Sequence, residues 1–180
     1  VASRLLSIHS QHRLANELAV IAGEYLIGRI QQLGPFTARL LLFSDPQSPP
    51  HPVRIGRLAD GRFSPLSKQD PRTGRWQPCT FLLRGLGDGV MAIEQVLADY
   101  IADRPGSQTA AVRNPIRLGD LVVSLPDEPR LPCTMVIAEL TGLQPDPRNP
   151  LIYNLEARCP VDPTRLRWVY VVDMSAPSGD

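Results

Sequence analysis

The chain has 180 residues, of which 43% are apolar and 21% are charged, and this composition excludes the disordered class of proteins. The formal net charge is only +1, but the charges are unevenly distributed, because a basic stretch of the chain is followed by an acidic one. Nineteen prolines predict many short elements.

The opening segment, residues 3–33, is predicted to form a first helix that ends at Gly34-Pro35. Apolar residues follow helical spacing, and others extend the apolar surface most of the way around the helix. Because one sheet covers only about half of a helix, we expect another chain to cover the rest. The protein is therefore expected to be a homo-oligomer or a subunit of a protein complex. The predicted interface residues are Leu14, Leu18, Ile21 and Tyr25.

The same segment predicts neither secretion nor membrane insertion. Its first 13 residues include arginines and histidines where a signal peptide would need an apolar stretch. Residues 14–30 contain too many polar side chains to span a bilayer. The cysteines are odd in number and far apart, which predicts reduced thiols in a cytoplasmic protein. They are Cys79, Cys133 and Cys159.

Residues 53–84, the basic meander, carry seven cations against two acids, with aromatic residues interleaved. Strands are predicted at 37–44, 53–58, 62–66 and 75–84, and Asp60-Gly61 predicts a hairpin turn. Outward arginines near a tryptophan suit nucleic acid, through phosphate contacts and base stacking, or an acidic protein surface. The alternative is a solvated face that pairs with the acidic segment that follows. The candidate binding residues are Arg54, Arg57, Arg62, Arg72, Arg75 and Trp76.

The acidic segment, residues 85–103, is predicted to contain a second helix. Asp88 is a candidate N-cap, and apolar residues recur at helical spacing from residue 90 to residue 101. The glycine-rich residues 85–89 could cradle a phosphate between a strand and a helix. Because the Asp88 carboxylate would repel an anion, a simple turn is the favoured reading.

Four further strands are predicted at 116–125, 134–140, 151–157 and 166–174. The predicted fold class is α+β, with a largely antiparallel sheet packed against two main helices. The order is helix, four strands, helix, four strands. Residues 1–106 hold both helices and the basic meander, residues 107–180 are β-rich, and both parts are expected to pack as one domain.

Catalytic and metal-binding motifs are weak. His9 and His12 share one face of the predicted first helix and supply half of a metal site, to which His51 could add a third ligand only through tertiary contact. Histidines that serve packing or lie on the surface are the favoured reading. No serine or cysteine lies in a recognisable nucleophile motif. The sequence therefore predicts no cofactor and no metal ion, and it leans away from an enzyme.

The favoured interpretation is a non-catalytic binding or assembly component that acts through the apolar first helix and the basic meander. Its partner would be a protein or a nucleic acid. The alternative is a small-molecule-binding protein or an enzyme with a pocket between the first helix and the sheet. An exposed arginine stripe near Trp76 would favour the first reading, and a deep pocket with converging polar groups would favour the second.

Overall fold

A computed structural model of the chain describes residues 4–7, 17–102, 111–128, 131–162 and 165–172. These residues form strands, turns and one 3₁₀ turn at Ala98–Tyr100, and they contain no α-helix. In chain order the strands are β1 (Arg4–Ser7), β2 (Ala19–Ala22), β3 (Tyr25–Leu33), β4 (Thr37–Leu42), β5 (His51–Ala59), β6 (Arg62–Pro65), β7 (Ser67–Gln69), β8 (Trp76–Pro78), β9 (Phe81–Gly87), β10 (Val90–Leu97), β11 (Val112–Arg113), β12 (Leu121–Ser124), β13 (Val136–Asp146), β14 (Asn149–Arg158) and β15 (Tyr170–Val172).

Six of these strands close into a barrel. The order β12-β5-β9-β10-β14-β13 is antiparallel throughout, and the pairing of β13 with β12 completes the ring. Closure removes the unpaired edges that an open sheet would expose. Residues 1–106 contribute three of the strands and residues 107–180 the other three. The barrel interior includes the buried side chains of Val53, Ile55, Leu83, Met91, Ile93, Val122, Leu140 and Leu155.

A second sheet has the antiparallel order β15-β2-β3-β4-β1. It joins the barrel where β3 runs parallel to β13, at the pair Tyr25 and Val136. The sheet has its own apolar core, which includes Val20, Ile27, Ile30, Leu40 and Leu42. A small third sheet, β11-β7-β8, is bordered by Leu66 and Cys79, and both belong to the barrel core.

The predicted first helix is wrong. Within its bounds the described residues form β1, β2 and β3, and a tight turn at Gly23, which has a φ of +60°, joins β2 to β3. The apolar surface that seemed to surround a helix belongs to strands with buried side chains on both faces, and such strands are rich in Val and Ile. Gly28 shows how closely β3 is covered, because a side chain there would collide with the Leu41 backbone of β4.

The predicted second helix is also wrong. Asp88 has a φ of +51° between two glycines and forms the turn between β9 and β10 instead of an N-cap. A β-bulge between Ile93 and Val96 includes Gln95, whose φ is +60°. The bulge changes the spacing of inward side chains from two residues to three, which resembles helical periodicity. The predicted α+β class is therefore wrong. Strands take the place of both predicted helices, and the fold is almost entirely β with a closed barrel.

The predicted hairpin at Asp60-Gly61 is confirmed. Strands β5 and β6 pair directly across it, with Ala59 opposite Arg62. Both turn residues have positive φ values, 51° for Asp60 and 72° for Gly61. This is the two-residue turn whose twist matches that of a hairpin.

Candidate functional site

A cleft of about 390 Å³ lies between the second sheet and the loop that leads into the barrel. One wall consists of residues of β3 and β4, and the other of the proline-rich residues 48–50 and the start of β5. A volume of this size accepts a small ligand or a short segment of peptide. The lining residues are Glu17, Arg29, Ile30, Gln31, Leu41, Phe43, Ser48, Pro49, Pro50, His51, Pro52 and Glu128.

Arg29 is the centre of the polar contacts in this cleft. One of its terminal nitrogens, Nη2, lies 2.9 Å from Nδ1 of His51 and 3.3 Å from Oε1 of Glu128. The guanidinium also lies 5.8 Å from the centre of the Phe43 ring. The His51 ring stacks on Phe43 with a centroid distance of 4.6 Å and an interplanar angle of 26°. Four side chains that are distant in sequence therefore hold one another in place.

His51 is neutral in this environment. Only 4% of the residue is exposed, and burial, followed by the charge of Arg29, lowers its pKa from 6.5 to about 4. A guanidinium has no acceptor, so Arg29 must donate to Nδ1 and the ring proton must lie on Nε2. This Nε2 is buried and has no hydrogen-bond partner among the residues described. A buried donor without a partner costs about 1–3 kcal/mol.

The loop before His51 is fixed by local contacts and by a close approach to the barrel. The Asp45 side chain accepts a hydrogen bond from the backbone N–H of Gln47 at 2.8 Å, and its carbonyl accepts one from Ser48 at 2.9 Å. Gly85 of β9 lies directly against this loop, where a Cβ would overlap the backbone of residues 43–45. The barrel wall therefore determines where the prolines and His51 lie.

The structure places the candidate binding arginines of the basic meander on β5, on β6 and in the turn before β8. Arg57 of β5 pairs with Asp120 at 2.9 Å and donates to the Pro115 carbonyl at 2.6 Å. Arg54, on the same strand, is half-buried, with Nε buried and unpartnered among the described residues. Arg62 is exposed at the start of β6, and Arg72 and Arg75 are exposed in the turn before β8.

Trp76 of β8 has one ring face occupied from within the chain. The guanidinium of Arg113 lies 4.0 Å from the centre of the Trp76 ring. A base stacking on that face would have to displace this cation–π contact. Among the described residues, a weak contact of 4.0 Å between Arg84 and Glu94, both well exposed, joins the basic meander to the acidic segment.

Of the predicted interface residues, Ile21 and Tyr25 lie on strands and Leu18 directly precedes β2. Leu18 is buried with the core of the second sheet, Ile21 of β2 packs against the barrel core, and Tyr25 of β3 packs against the second core. They therefore contribute to packing within this chain. Leu14, like His9 and His12, lies outside the described residues.

An exposed aromatic pair lies at the outer edge of the second sheet. Trp168 precedes β15 and is 82% exposed, and Tyr170 within it is 71% exposed. Val169 and Val171 alternate with them and pack against the second core. Among the described strands, β15 pairs only with β2. Within the described part of the chain, one side of β15 therefore has no strand partner, and this side lies beside two large aromatic rings.

Two searches within the described part of the chain were negative. It contains no group of three or more His, Cys, Asp or Glu side chains that could hold a metal ion. It also contains no helix long and apolar enough to span a membrane.

The closed six-stranded barrel, the attached antiparallel sheet and the cleft beside them define an all-β barrel protein. The family model "Rod shape-determining protein MreC, barrel core" matches residues 6–173, and the chain belongs to this family. The crystal structure of MreC from Pseudomonas aeruginosa is 20% identical, covers 96% of this chain and 89% of its own, and superimposes with a TM-score of 0.65. A second solved MreC structure is 19% identical, covers 96% and 78%, and has a TM-score of 0.64. No curated protein matches significantly.

Family membership corrects the function predicted from sequence. A rod shape-determining protein is a component of the machinery of cell shape, and this supports the expected role as a subunit of a protein complex. The predicted nucleic-acid partner is wrong, and so is the mode of action through an apolar helix and the basic meander. The expected homo-oligomer and the expected cytoplasmic location stay predictions.

The sequence analysis missed most of the cleft. The sequence patterns identify His51 only as a remote metal ligand, and they assign no site to Arg29, Phe43 or Glu128. The run of prolines around His51 was a usable signal, because such a run places a histidine in a rigid loop. Nothing local linked that loop to Arg29 or Glu128.

Proposed function

We propose that this protein helps to maintain the rod shape of a bacterial cell as a structural subunit that holds other proteins of the shape machinery. The observation that carries the proposal is the family match, which spans residues 6–173 and so includes both the barrel and the second sheet. The likeness of fold to solved MreC structures over 96% of the chain supports the same role.

The contact surface that we propose for this role is the edge strand β15. An exposed strand edge accepts an extended segment of a partner, because main-chain groups on both sides can pair. Trp168 and Tyr170 add aromatic area that contributes strongly at protein interfaces. The expected occupant is therefore a strand of another protein of the machinery that pairs with β15.

Replacement of the chromosomal gene in the source bacterium tests both parts of the proposal. Deletion should give rounded cells, and the wild-type gene should restore rods. The double variant Trp168→Ser, Tyr170→Ser should also give rounded cells at normal protein level. The matched control is Phe36→Ser, which removes a ring that is 79% exposed at the turn between β3 and β4.

The outcomes separate the two parts. Rods after complete deletion would overturn the role in cell shape. Rounded cells after deletion but normal rods with the Trp168 and Tyr170 double variant would overturn β15 as the contact surface and leave the role intact. A Phe36→Ser variant that rounds the cells as strongly would show that any loss of exposed aromatic area has this effect.

A further inference from the structure

Two sulfur atoms of different chemistry lie in contact on the surface of the loop that leads into β13. The thiol sulfur of Cys133, Sγ, lies 3.7 Å from the thioether sulfur of Met135, Sδ, and the contact is exposed. Thiolate and thioether are the soft donors that select Cu(I), whereas oxygen donors suit harder ions such as Mg²⁺ and Ca²⁺. The pair therefore has the donor chemistry of a site for a soft metal ion.

The loop holds both sulfur atoms in place. The backbone N–H of Met135 donates to Oγ of Ser124, and the backbone N–H of Ser124 donates to the Met135 carbonyl, each at 2.9 Å. Ser124 is fully buried on β12, and the Met135 side chain packs against the barrel core. At the other end of the loop Leu131 packs against the same core, and Pro132 restricts the backbone directly before Cys133. An ion that binds here therefore has little of the loop to order.

The separation of the sulfur atoms fits a shared ion. A metal–sulfur bond is about 2.3 Å long, so two sulfurs 3.7 Å apart subtend an angle of about 107° at an ion bonded to both. This angle is close to the tetrahedral one, and it suits an ion with three or four ligands. Because Cys133 is exposed, the remaining positions face solvent.

We propose that Cys133 and Met135 bind a soft monovalent metal ion, Cu(I). The ion replaces the proton of the Cys133 thiol, which passes to solvent, and the Met135 thioether donates a lone pair as the second bond. This proposal does not depend on the role in cell shape or on β15, because neither residue lies on that strand.

Nuclear magnetic resonance of the full chain with labelled methionine methyl groups tests the proposal. The probe is Ag(I), which shares the charge and softness of Cu(I) but does not change its oxidation state. The Met135 methyl signal should shift and reach its final position at one equivalent. Met91, which is 1% exposed in the barrel core, is the internal control and should not shift. Zn²⁺ should leave both signals unchanged, because its protein ligands are thiolates, imidazoles and carboxylates.

Competition for Cu(I) with the coloured chelator bicinchoninate, in the absence of oxygen, measures the affinity of the variants. Met135→Leu keeps the thiol and nearly the same side-chain volume, and it should weaken Cu(I) binding at least tenfold. Cys133→Ser should abolish binding. Met91→Leu is the matched control, since it makes the same exchange in the barrel core, and it should leave the affinity for Cu(I) unchanged.

Three outcomes would overturn the proposal. A Met135 methyl signal that does not move at one equivalent of Ag(I) would show that the thioether is not a ligand. Equal affinity for Cu(I) in Met135→Leu would mean that the thiol binds the ion by itself. Binding that persists in Cys133→Ser would place the ion at another thiol. If a variant fails to fold, the Met135 and Met91 signals of the unsubstituted chain decide.

Discussion

At the scale of single residues, burial changes the chemistry of His51. A histidine in water gains a proton near pH 6.5, whereas this ring resists protonation until about pH 4 because it is desolvated and faces the Arg29 guanidinium. Glu128, on the other side of Arg29, offsets part of that positive charge without contacting the ring. The histidine is thus a neutral donor over the physiological range.

This shift predicts a pH dependence of stability. The folded pKa lies below the unfolded one, so the unfolded chain gains a proton first as the pH falls below 6.5. The free energy of unfolding should therefore fall between pH 6.5 and pH 4, by at most about 3 kcal/mol from this residue. Urea unfolding at several pH values measures it. His51→Gln should remove this part of the slope, and parallel curves for the two proteins would contradict the prediction.

Asp120 should be one of the residues most sensitive to substitution. It is 4% exposed, and its Oδ2 accepts hydrogen bonds from Nη2 of Arg57 and from the backbone N–H of Arg117, each at 2.9 Å. Asp120→Ala removes the carboxylate partner of a partly buried guanidinium and should cost about 2–4 kcal/mol of unfolding free energy.

The matched comparison for Asp120 is the exposed pair formed by Arg158 and Glu156, at 3.1 Å. Solvent screens this pair, so Glu156→Ala should cost less than about 1 kcal/mol. Equal losses of unfolding free energy in the two variants, measured by denaturant unfolding, would show that the burial of Asp120 does not increase the cost of removing its carboxylate.

At the scale of elements, close backbone approach determines how β3 and β4 pair. Gly28 lies opposite Leu42, and a Cβ on it would overlap the carbonyl of Leu41. Strand pairing here therefore requires a residue without a side chain. The same strand carries Arg29 into the cleft, so the register of this pair also positions the candidate site.

Gly28→Ala should consequently destabilise the protein by about 2–3 kcal/mol, because the strands must separate to admit a methyl group. Gly34→Ala is the control, since a Cβ there would lie 3.1 Å from Thr37 Oγ1 and 3.3 Å from the Thr37 carbonyl oxygen, contacts that shifts of a few tenths of an ångström relieve. It should cost less than about 1 kcal/mol. Thermal unfolding of both variants measures the difference, and similar melting temperatures would refute the steric argument.

At the scale of the whole molecule, the three thiols differ in their exposure. Cys79 is buried in the barrel core and Cys159 packs against both cores, and burial raises the pKa of each thiol. Cys133 is exposed and lies 3.7 Å from the Met135 sulfur.

A thiol reagent such as dithiobis(nitrobenzoic acid) should therefore react quickly with one cysteine per native chain and slowly with two. Access favours Cys133, and burial raises the pKa of the Cys79 and Cys159 thiols, which slows the reaction of both. Denaturant should release all three at once. Cys133→Ser should abolish the fast phase, and a fast phase that persists in this variant would mean that a core opens readily.

The sequence by itself determined features whose causes are local. The Asp60-Gly61 turn follows from two residues that tolerate positive φ, and the strands predicted at 37–44 and 53–58 overlap β4 and β5 because Val, Leu and Ile cluster between turn residues. The predicted secondary structure is wrong in residues 18–33, because a buried strand and a buried helix share the same apolar composition. It is wrong again where the bulge at Gln95 produces helical spacing.

Only the tertiary structure decided the closure of the barrel and the assembly of the cleft. Closure depends on pairs such as β13 with β12 and β14 with β10, which no local pattern specifies. Arg29 meets His51 across 22 positions and Glu128 across 99. Contacts over such separations form only when the whole chain has folded, because each strand must first find its neighbours in the barrel and in the second sheet.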